Sequence, residues 1–371
     1  MALEITGVAY PVRFANYQRN SLVSVEVKPK WQPVWSRAYH KIDDELMLAP
    51  YSVLVGGGYV GVVSESDLLF FTGDGDFSRL VARGSQTPVV FGRRALAYLD
   101  PSLIVNYEGY DGNVIRDNGT VPNLGQWAYS LLFKPSLEEM LGVVQFTGGP
   151  QRKPMKYYAW RFNLEDEGFA WNHEYDGAAS QALLSADNKK LVLLAGSMVE
   201  VMSAGSGETV GTFEMESAQT VTASLDSSGN LIVLCEGVGE GNEGFRLRSY
   251  TLSGELQWEV VLGDPQDVQP PACGSDGRVY VIDSLQLVCV QNGERSWSTP
   301  LKSNESTLLT VTKDNHVIAV NGQLLCFFSP AGERLYERLI TDGAETFEAP
   351  AAVSASGRIF VASNESLYCF E

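Results

Sequence analysis

The chain has few of the residues that usually carry out catalysis or bind metals. Its 371 residues include only three histidines, and its five cysteines show none of the CxxC spacing of zinc or redox sites. No run approaches the roughly eighteen unbroken apolar residues of a membrane-spanning helix. Residues 1–20 lack the basic start and apolar run of a secretory signal. These absences argue against a metal site, a membrane span and export, and they predict a cytoplasmic protein.

Positive charge is also scarce. The chain has 27 lysines and arginines against 45 aspartates and glutamates, a formal net charge of -18 at pH 7. Nucleic acids and anionic membranes would repel such a surface, so neither is expected as a partner. If the charge is used in recognition, it favours a basic partner. Glycine is plentiful, with 36 residues, and 44% of the chain is apolar, which suits short buried strands joined by tight turns.

A repeat of about forty residues organises the C-terminal part of the chain. The pattern Gly-Glu-x-x-aromatic occurs at 254–258 and returns at 293–297 and 332–336. Apolar, β-branched runs of five residues, typical of buried strands, recur at 59–63, 94–98, 141–145, 191–195, 231–235, 278–282, 316–320 and 358–362. The sequence therefore predicts an all-β protein, an eight-bladed β-propeller of four-stranded antiparallel blades that forms one domain over residues 1–371. We name the four strands of each blade A to D, from the axis outward.

The two ends of the chain are predicted to complete one blade together. Residues 349–371 supply strands A to C but stop where their Gly-Glu turn should begin, and residues 32–39 look like an isolated strand D with Trp35 at the aromatic position. Residues 1–44 and 347–371 would then form the closing blade and 45–346 the other seven, which leaves no open inner edge. Residues 21–26 resemble a strand C and are left over. They either add a further strand or change how the closing blade is shared.

The repeat explains several features that could suggest chemistry. Cys289, Cys326 and Cys369 occupy the same position in three apolar strands, which predicts buried core residues and not a disulfide or metal site. The stretches 74–76 and 111–113, Asp-Gly-Asp and Asp-Gly-Asn, could be calcium ligands. Both fall on predicted C–D turns, where Asp-Gly is favoured for backbone reasons, and the further ligands of a calcium loop are absent.

The Gly-Glu-x-x-Trp turns resemble those of the quinoprotein-type, PQQ-like propeller repeats. In that family the glycine and the tryptophan dock one blade onto the next. The resemblance is clearest at Gly254/Trp258, Gly293/Trp297 and Gly332/Tyr336. The family contains dehydrogenases that use PQQ, calcium and a pair of adjacent cysteines, and also the non-enzymatic propeller lipoprotein of outer-membrane assembly. No two cysteines are adjacent here, so the resemblance implies the non-enzymatic branch, without a cofactor and without catalytic residues.

Long insertions point to one face of the predicted propeller. They occupy 117–126 in a D–A connection and 148–156 and 237–244 in B–C connections, and both kinds of connection emerge on the same face. We call it the loop face. Loops on a rigid scaffold often carry binding residues. The candidate partner-binding residues here are Asp43, Asp44, Glu45, Arg152, Lys153, Glu240, Glu243, Asp264, Asp267, Asp342, Glu345 and Glu348.

Three functions remain open from the sequence. The first is a monomeric, non-enzymatic scaffold that binds a protein partner on the loop face. The second is an enzyme or small-ligand binder with its site in the central funnel, which a deep pocket with convergent carboxylates would favour. The third is carbohydrate binding through exposed tryptophans, with Trp127 and Trp160 as candidates.

Overall fold

A computed structural model of the chain describes residues 8–10, 21–27, 32–42, 50–56, 59–64, 68–81, 103–108, 111–116, 119–121, 128–133, 139–146, 156–163, 168–175, 181–216, 218–237, 244–263, 265, 269–302, 307–339, 345–347 and 349–371. Within these residues the regular structure is β-sheet, apart from one 3-10 helix at Tyr39–Lys41. This confirms the all-β prediction.

The strands are numbered in chain order, beginning with β1 (Val8–Tyr10) and β2 (Pro33–Ala38). Sheet 1 contains β3 (Pro50–Gly56), β4 (Tyr59–Ser64), β5 (Leu68–Thr72) and β6 (Phe77–Val81), with β1 on the inner edge of β3. Sheet 2 contains β7 (Leu103–Glu108), β8 (Asp111–Arg116) and β9 (Gly119–Val121). Sheet 3 contains β10 (Ala128–Phe133), β11 (Glu139–Phe146), β12 (Lys156–Asn163) and β13 (Gly168–Tyr175). Sheet 4 contains β14 (Gln181–Leu184), β15 (Lys190–Ala195), β16 (Met198–Ser203) and β17 (Thr209–Glu214).

The C-terminal half continues the pattern. Sheet 5 contains β18 (Ala218–Leu225), β19 (Leu231–Gly237), β20 (Phe245–Tyr250) and β21 (Leu256–Val261). Sheet 6 contains β22 (Ala272–Cys273), β23 (Val279–Asp283), β24 (Gln286–Gln291) and β25 (Glu294–Pro300). Sheet 7 contains β26 (Thr307–Val311), β27 (Val317–Asn321), β28 (Leu324–Phe328) and β29 (Arg334–Leu339). Sheet 8 contains β30 (Ala352–Val353), β31 (Ile359–Ala362) and β32 (Ser366–Phe370), with β2 as its fourth strand.

The sheets are arranged radially. Strands A of several successive sheets contact one another, namely β10 with β14, β14 with β18, β18 with β22, β22 with β26, and β30 with β3. Strands B such as β23 and β27 are buried along their whole length because neighbouring sheets cover both faces. Strands D such as β17 alternate between exposed and half-buried residues at the rim. This arrangement, with strands A at the centre and strands D outside, is that of a β-propeller.

The repeated glycine and aromatic residue join neighbouring sheets. In several described C–D turns the glycine has a positive φ and lies against the strand D aromatic of the preceding sheet. The contact is so close that a Cβ atom on the glycine would approach the aromatic residue to 2.6–2.7 Å. Trp297 Nε1 also donates a hydrogen bond to the Pro330 carbonyl at 3.0 Å. The docking role implied by the resemblance is therefore seen in four pairs, Gly207/Trp171, Gly254/Phe213, Gly293/Trp258 and Gly332/Trp297.

The same contact joins the two ends of the chain. Strand β2 pairs antiparallel with β32, and the Trp35 ring lies over Gly75 of sheet 1, whose added Cβ would be 2.6 Å away. Trp35 Nε1 donates to the Gly73 carbonyl at 3.3 Å, and Arg37 Nε donates to the Gly75 carbonyl at 2.7 Å. Arg358 of sheet 8 also donates to the Gly73 carbonyl at 3.0 Å. Both ends of the chain therefore contribute strands to one four-stranded sheet, of order β2-β32-β31-β30.

One detail differs from the sequence-based prediction. Asp111 and Gly112 lie in strand β8 and not in a turn, because Glu108 pairs with Asp111 and the chain reverses before Asp111. The turn at Asp74–Gly75 is present as predicted, with Gly75 at φ +87°.

The leftover N-terminal residues 21–26 form no blade strand. Leu22 makes a parallel bridge to Val311 on the free inner edge of β26. The N-terminal part of the chain therefore adds strand pairing at the centre, through β1 against β3 and through Leu22 against β26.

All five cysteines are buried free thiols. Burial raises the pKa of Cys289 and of Cys369 to about 12 and that of Cys326 to about 11. These three residues belong to strands C of sheets 6 to 8, as predicted. Neutral buried thiols at one repeat position are packing residues, which confirms their structural interpretation.

Candidate interaction face

The connections between D and A strands contact the B–C turns directly. The Met215 amide donates to the Ser197 carbonyl at 2.8 Å, and the Leu262 amide donates to the Phe245 carbonyl at 2.9 Å. In sheet 8, Phe347 forms a β-bridge with Ser363. Both kinds of connection therefore emerge on one side in these sheets, as the loop-face prediction requires.

Of the predicted partner-binding residues, the structure describes Glu345 alone. The others lie outside the described residues and stay predictions, namely Asp43, Asp44, Glu45, Arg152, Lys153, Glu240, Glu243, Asp264, Asp267, Asp342 and Glu348. The strands that flank the insertion at 237–244 are described. They end at Gly237 and begin again at Phe245, and the Gly237 amide donates to the Gly244 carbonyl at 2.8 Å.

The carboxylate of Glu345 forms hydrogen bonds that stabilise the loop face. The Tyr368 hydroxyl lies 3.0 Å from both carboxylate oxygens of Glu345, and the Ser363 hydroxyl donates to the same carboxylate. Burial, assisted by the hydrogen bond with Glu345, raises the pKa of Tyr368 to about 12, so the phenol remains a donor at neutral pH. Burial, with Glu345 and Tyr368 nearby, also raises the pKa of Tyr39. The half-buried Glu345 thus connects the D–A connection to sheet 8.

The carboxylate of Asp283 stabilises the B–C turn of sheet 6 on the same face. Asp283 is only 3% exposed and accepts hydrogen bonds from the Gly263 amide at 2.9 Å and the Ser284 hydroxyl at 3.2 Å. Its other oxygen accepts from Arg295 Nη2 at 2.6 Å. Gly263 belongs to the preceding D–A connection. The hydrogen bond from its amide to Asp283 therefore joins this connection to the B–C turn of sheet 6.

The turn that Asp283 holds presents an exposed leucine. Ser284 has φ +51° and Leu285 has φ +62°, a left-handed conformation that is uncommon for leucine. Leu285 is 38% exposed, and its carbonyl accepts a hydrogen bond from the Leu301 amide at 2.9 Å. Strained residues of this kind persist where surrounding bonds impose them, and they cluster at binding sites. Leu285 is not among the residues predicted from the sequence. The only available signal is that Asp-Ser-Leu-Gln forms a tight turn without the usual glycine or asparagine.

An ion-pair network in sheet 5 also bonds to the D–A connection that follows sheet 4. Glu259 accepts from Arg246 at 2.7 Å and from Arg248 at 2.6 Å, and Arg248 also donates to the Glu216 carbonyl at 2.9 Å. Burial alone would raise the pKa of Glu259, but the hydrogen bonds from Arg248 and Arg246 outweigh it and lower the pKa. Arg248 is buried, so its charge depends on this carboxylate.

Replacing Glu259 with glutamine should lower the free energy of unfolding at pH 7 by about 1.5–3 kcal/mol, the usual contribution of a hydrogen bond to a charged group. Because the pKa of Glu259 is lower in the folded protein, its carboxylate stabilises the protein at pH values above 4.5, the ordinary pKa of a glutamate. This stabilisation is lost as the pH falls through the pKa of Glu259 in the folded protein. Urea unfolding of both proteins at pH 7 and at pH 4 should therefore show a smaller difference at pH 4. The same difference at both pH values would mean that the carboxylate charge contributes nothing.

A cavity near the axis is small. Its volume is about 20 Å³, and it is lined mainly by prolines of the connection before β22 and by residues of β23 and β26, including Pro265, Pro270, Pro271, Val281 and Leu309. Small-molecule sites usually measure hundreds of Å³. Within the described ranges, no three His, Cys, Asp or Glu side chains come together as a metal-binding group.

One of the two tryptophans that were candidates for carbohydrate binding is buried. Trp160 is 2% exposed and packs at 5.9 Å from Phe169, so its ring is not available to stack on a sugar. Trp127 lies outside the described residues.

Comparison with known proteins gives the fold and no family. No protein-family model and no curated protein sequence matches the chain. BamB from Moraxella catarrhalis is similar in structure, with a TM-score of 0.59 and 11% sequence identity over 92% of this chain and 99% of that chain. The Dos1 propeller has a TM-score of 0.64 and 8% identity over 92% of this chain and 95% of that chain. The chain is a β-propeller over nearly its whole length. Among its described residues, no helix has the length and hydropathy of a membrane span.

Proposed function

We propose that this chain is a non-enzymatic scaffold, a single eight-bladed propeller closed by β2, that binds a protein partner on the loop face. The observation that carries this proposal is the turn at Asp283, a rigid support that presents Leu285 to solvent. The five free cysteines support placing the protein in a reducing compartment, the cytoplasm.

The surroundings of Leu285 suggest the chemistry of the partner. Protein interfaces commonly have an apolar centre and a polar rim, and a few anchors carry most of the binding energy. Asp283 binds the amide of Gly263, and Asp264 and Asp267 follow that residue in the sequence. An apolar anchor near acidic residues fits a basic partner segment that carries one apolar side chain.

Replacing Leu285 with aspartate should reduce partner capture at least tenfold, because the anchor would become a charge. Leu335 is the matched control, since it is a 52% exposed leucine on the outer rim, in β29. Tagged wild-type, L285D and L335D proteins would be compared as baits in lysate, with bound proteins quantified by mass spectrometry. The proposal requires a set of proteins that L335D retains and L285D loses. Equal capture by both variants would contradict it.

Charge reversal tests the basic partner separately. The variant D43K/D44K reverses two charges that are predicted to lie on the loop face, and E208K/E255K makes the same change in net charge at exposed C–D turns on the opposite face. Loss of capture in the first variant alone would support a basic partner on the loop face. Equal loss in both would indicate that only the net charge matters.

A further inference from the structure

The C–D turn of sheet 6 is shorter than those of its two neighbours. Strand β24 ends at Gln291 and β25 begins at Glu294, and these two residues pair, so Asn292 and Gly293 alone form the turn. Both have a positive φ, +51° at Asn292 and +81° at Gly293, as in the type I′ turn that Asn-Gly favours. Asn292 is exposed in this turn.

The short turn leaves the Gly293 amide without the hydrogen bond that its counterparts make. In sheets 5 and 7 the amides of Gly254 and Gly332 donate to the carbonyls of Thr251 and Ser329, at 3.0 and 2.9 Å. Within the part of the chain that the structure describes, no group accepts a hydrogen bond from the Gly293 amide, and none bonds to the side chain that precedes it. The side-chain amide and the next backbone nitrogen can therefore react with each other.

We infer that Asn292 is a site of spontaneous covalent modification, at which asparagine is converted to aspartate and isoaspartate. The Gly293 nitrogen bonds to the side-chain carbonyl carbon of Asn292, the side-chain nitrogen leaves as ammonia with the proton of the Gly293 amide, and a succinimide ring forms. Water then opens the ring at either of its carbonyl carbons. Opening at one gives aspartate, and opening at the other gives isoaspartate, in which the main chain runs through the former side chain.

Three features of the turn favour this reaction. Asparagine is one of the thermolabile residues of proteins. The following residue is a glycine, so no Cβ hinders the approach of its nitrogen. An exposed turn of this kind can open locally without unfolding the sheets, which lets the two reacting atoms meet. The modification does not depend on the function proposed for the loop face.

The same dipeptide occurs at Asn321–Gly322, where the surroundings oppose the reaction. Asn321 is only 1% exposed, and its Nδ2 donates a hydrogen bond to Thr307 Oγ1 at 2.7 Å. Ring closure there would break this buried bond, and water has little access to open the ring. Asn321 is thus a matched internal control for Asn292. Asn118, which begins a third Asn-Gly pair, lies outside the described residues.

Isoaspartate at position 292 should also weaken the contact between sheets 5 and 6. It adds one carbon atom to the main chain of a turn whose length sets the pairing of Gln291 with Glu294. The turn has little room to shift, because a Cβ atom on Gly293 would already lie 2.6 Å from Trp258 of sheet 5. Aspartate at the same position keeps the normal main chain and should leave this contact intact.

Peptide mapping of the wild-type chain after incubation in mildly alkaline buffer tests the modification. Alkali favours the reaction because the attacking amide nitrogen must lose its proton. In the folded chain, conversion at Asn292 should be at least tenfold faster than at Asn321. In urea, where both turns are unfolded, the two rates should become similar. Conversion at Asn292 that is no faster than at Asn321 in the folded chain would overturn the inference.

The structural consequence is measured on the isolated isoaspartate form, with N292D as the matched control. N292D carries the same added charge without the longer main chain. The isoaspartate form should unfold at a lower urea concentration than N292D, which should unfold like the wild-type chain. Unfolding of both forms at the same urea concentration would show that the modification does not disturb the contact with Trp258, and would overturn this part of the inference.

Discussion

Replacing Gly332 with alanine should destabilise the protein by about 2–5 kcal/mol, clearly more than the same change at Gly277. The two glycines have nearly the same backbone, with φ +85° and φ +83°. Their surroundings differ: a Cβ on Gly332 would lie 2.6 Å from the Trp297 ring, whereas a Cβ on Gly277 has nothing within 4 Å. The comparison therefore separates backbone strain from the contact between sheets.

The expected losses of stability follow from the backbone strain and from the contact between the sheets. A left-handed conformation costs alanine roughly 1–2 kcal/mol, which both variants share. Forcing an extra methyl group into a packed contact costs about 1–3 kcal/mol more, and only the Gly332 variant has this cost. Urea unfolding of both variants at equal protein concentration measures the difference. Equal loss of stability would mean that the Gly332–Trp297 contact does not hold sheets 6 and 7 together.

The repeat made most of the fold predictable. Because Gly254, Gly293 and Gly332 recur with an aromatic residue four positions later, the sequence indicated the unit and the contact between units. Trp35 at the same relative position allowed β2 to be assigned to the last sheet. These positions obey local rules of turn and strand chemistry, which a single sequence shows directly.

The candidate site was less predictable because it depends on contacts between distant residues. Leu285 looks like an ordinary apolar residue until its positive φ and its neighbour Asp283 are known. Glu345 looks like a surface charge, but hydroxyl groups from Ser363 and Tyr368 bind it. Residues 21–26 were recognised as strand-like, but the residue that Leu22 pairs with, Val311, is far away in the sequence.

The pairing of β2 with β32 joins the two ends of the chain, and a cross-link between these strands should have a large effect on stability. Ala38 lies opposite Ser366, next to the pair in which the Tyr39 amide donates to the Glu365 carbonyl at 2.9 Å. In an antiparallel pair the Cα atoms at such a position are about 4.5 Å apart, which a disulfide can bridge. The native cysteines are buried, and burial raises the pKa of nearby Cys369 to about 12, so they should not compete.

The decisive measurement is oxidation of the A38C/S366C chain, with A38C and S366C alone as controls. We expect one disulfide between the two introduced positions, identified by peptide mapping. The oxidised protein should also be more stable than the reduced protein by about 2–5 kcal/mol, because the bond closes a very long loop. Introduced thiols that react with a labelling reagent but never join would contradict the pairing of the two chain ends.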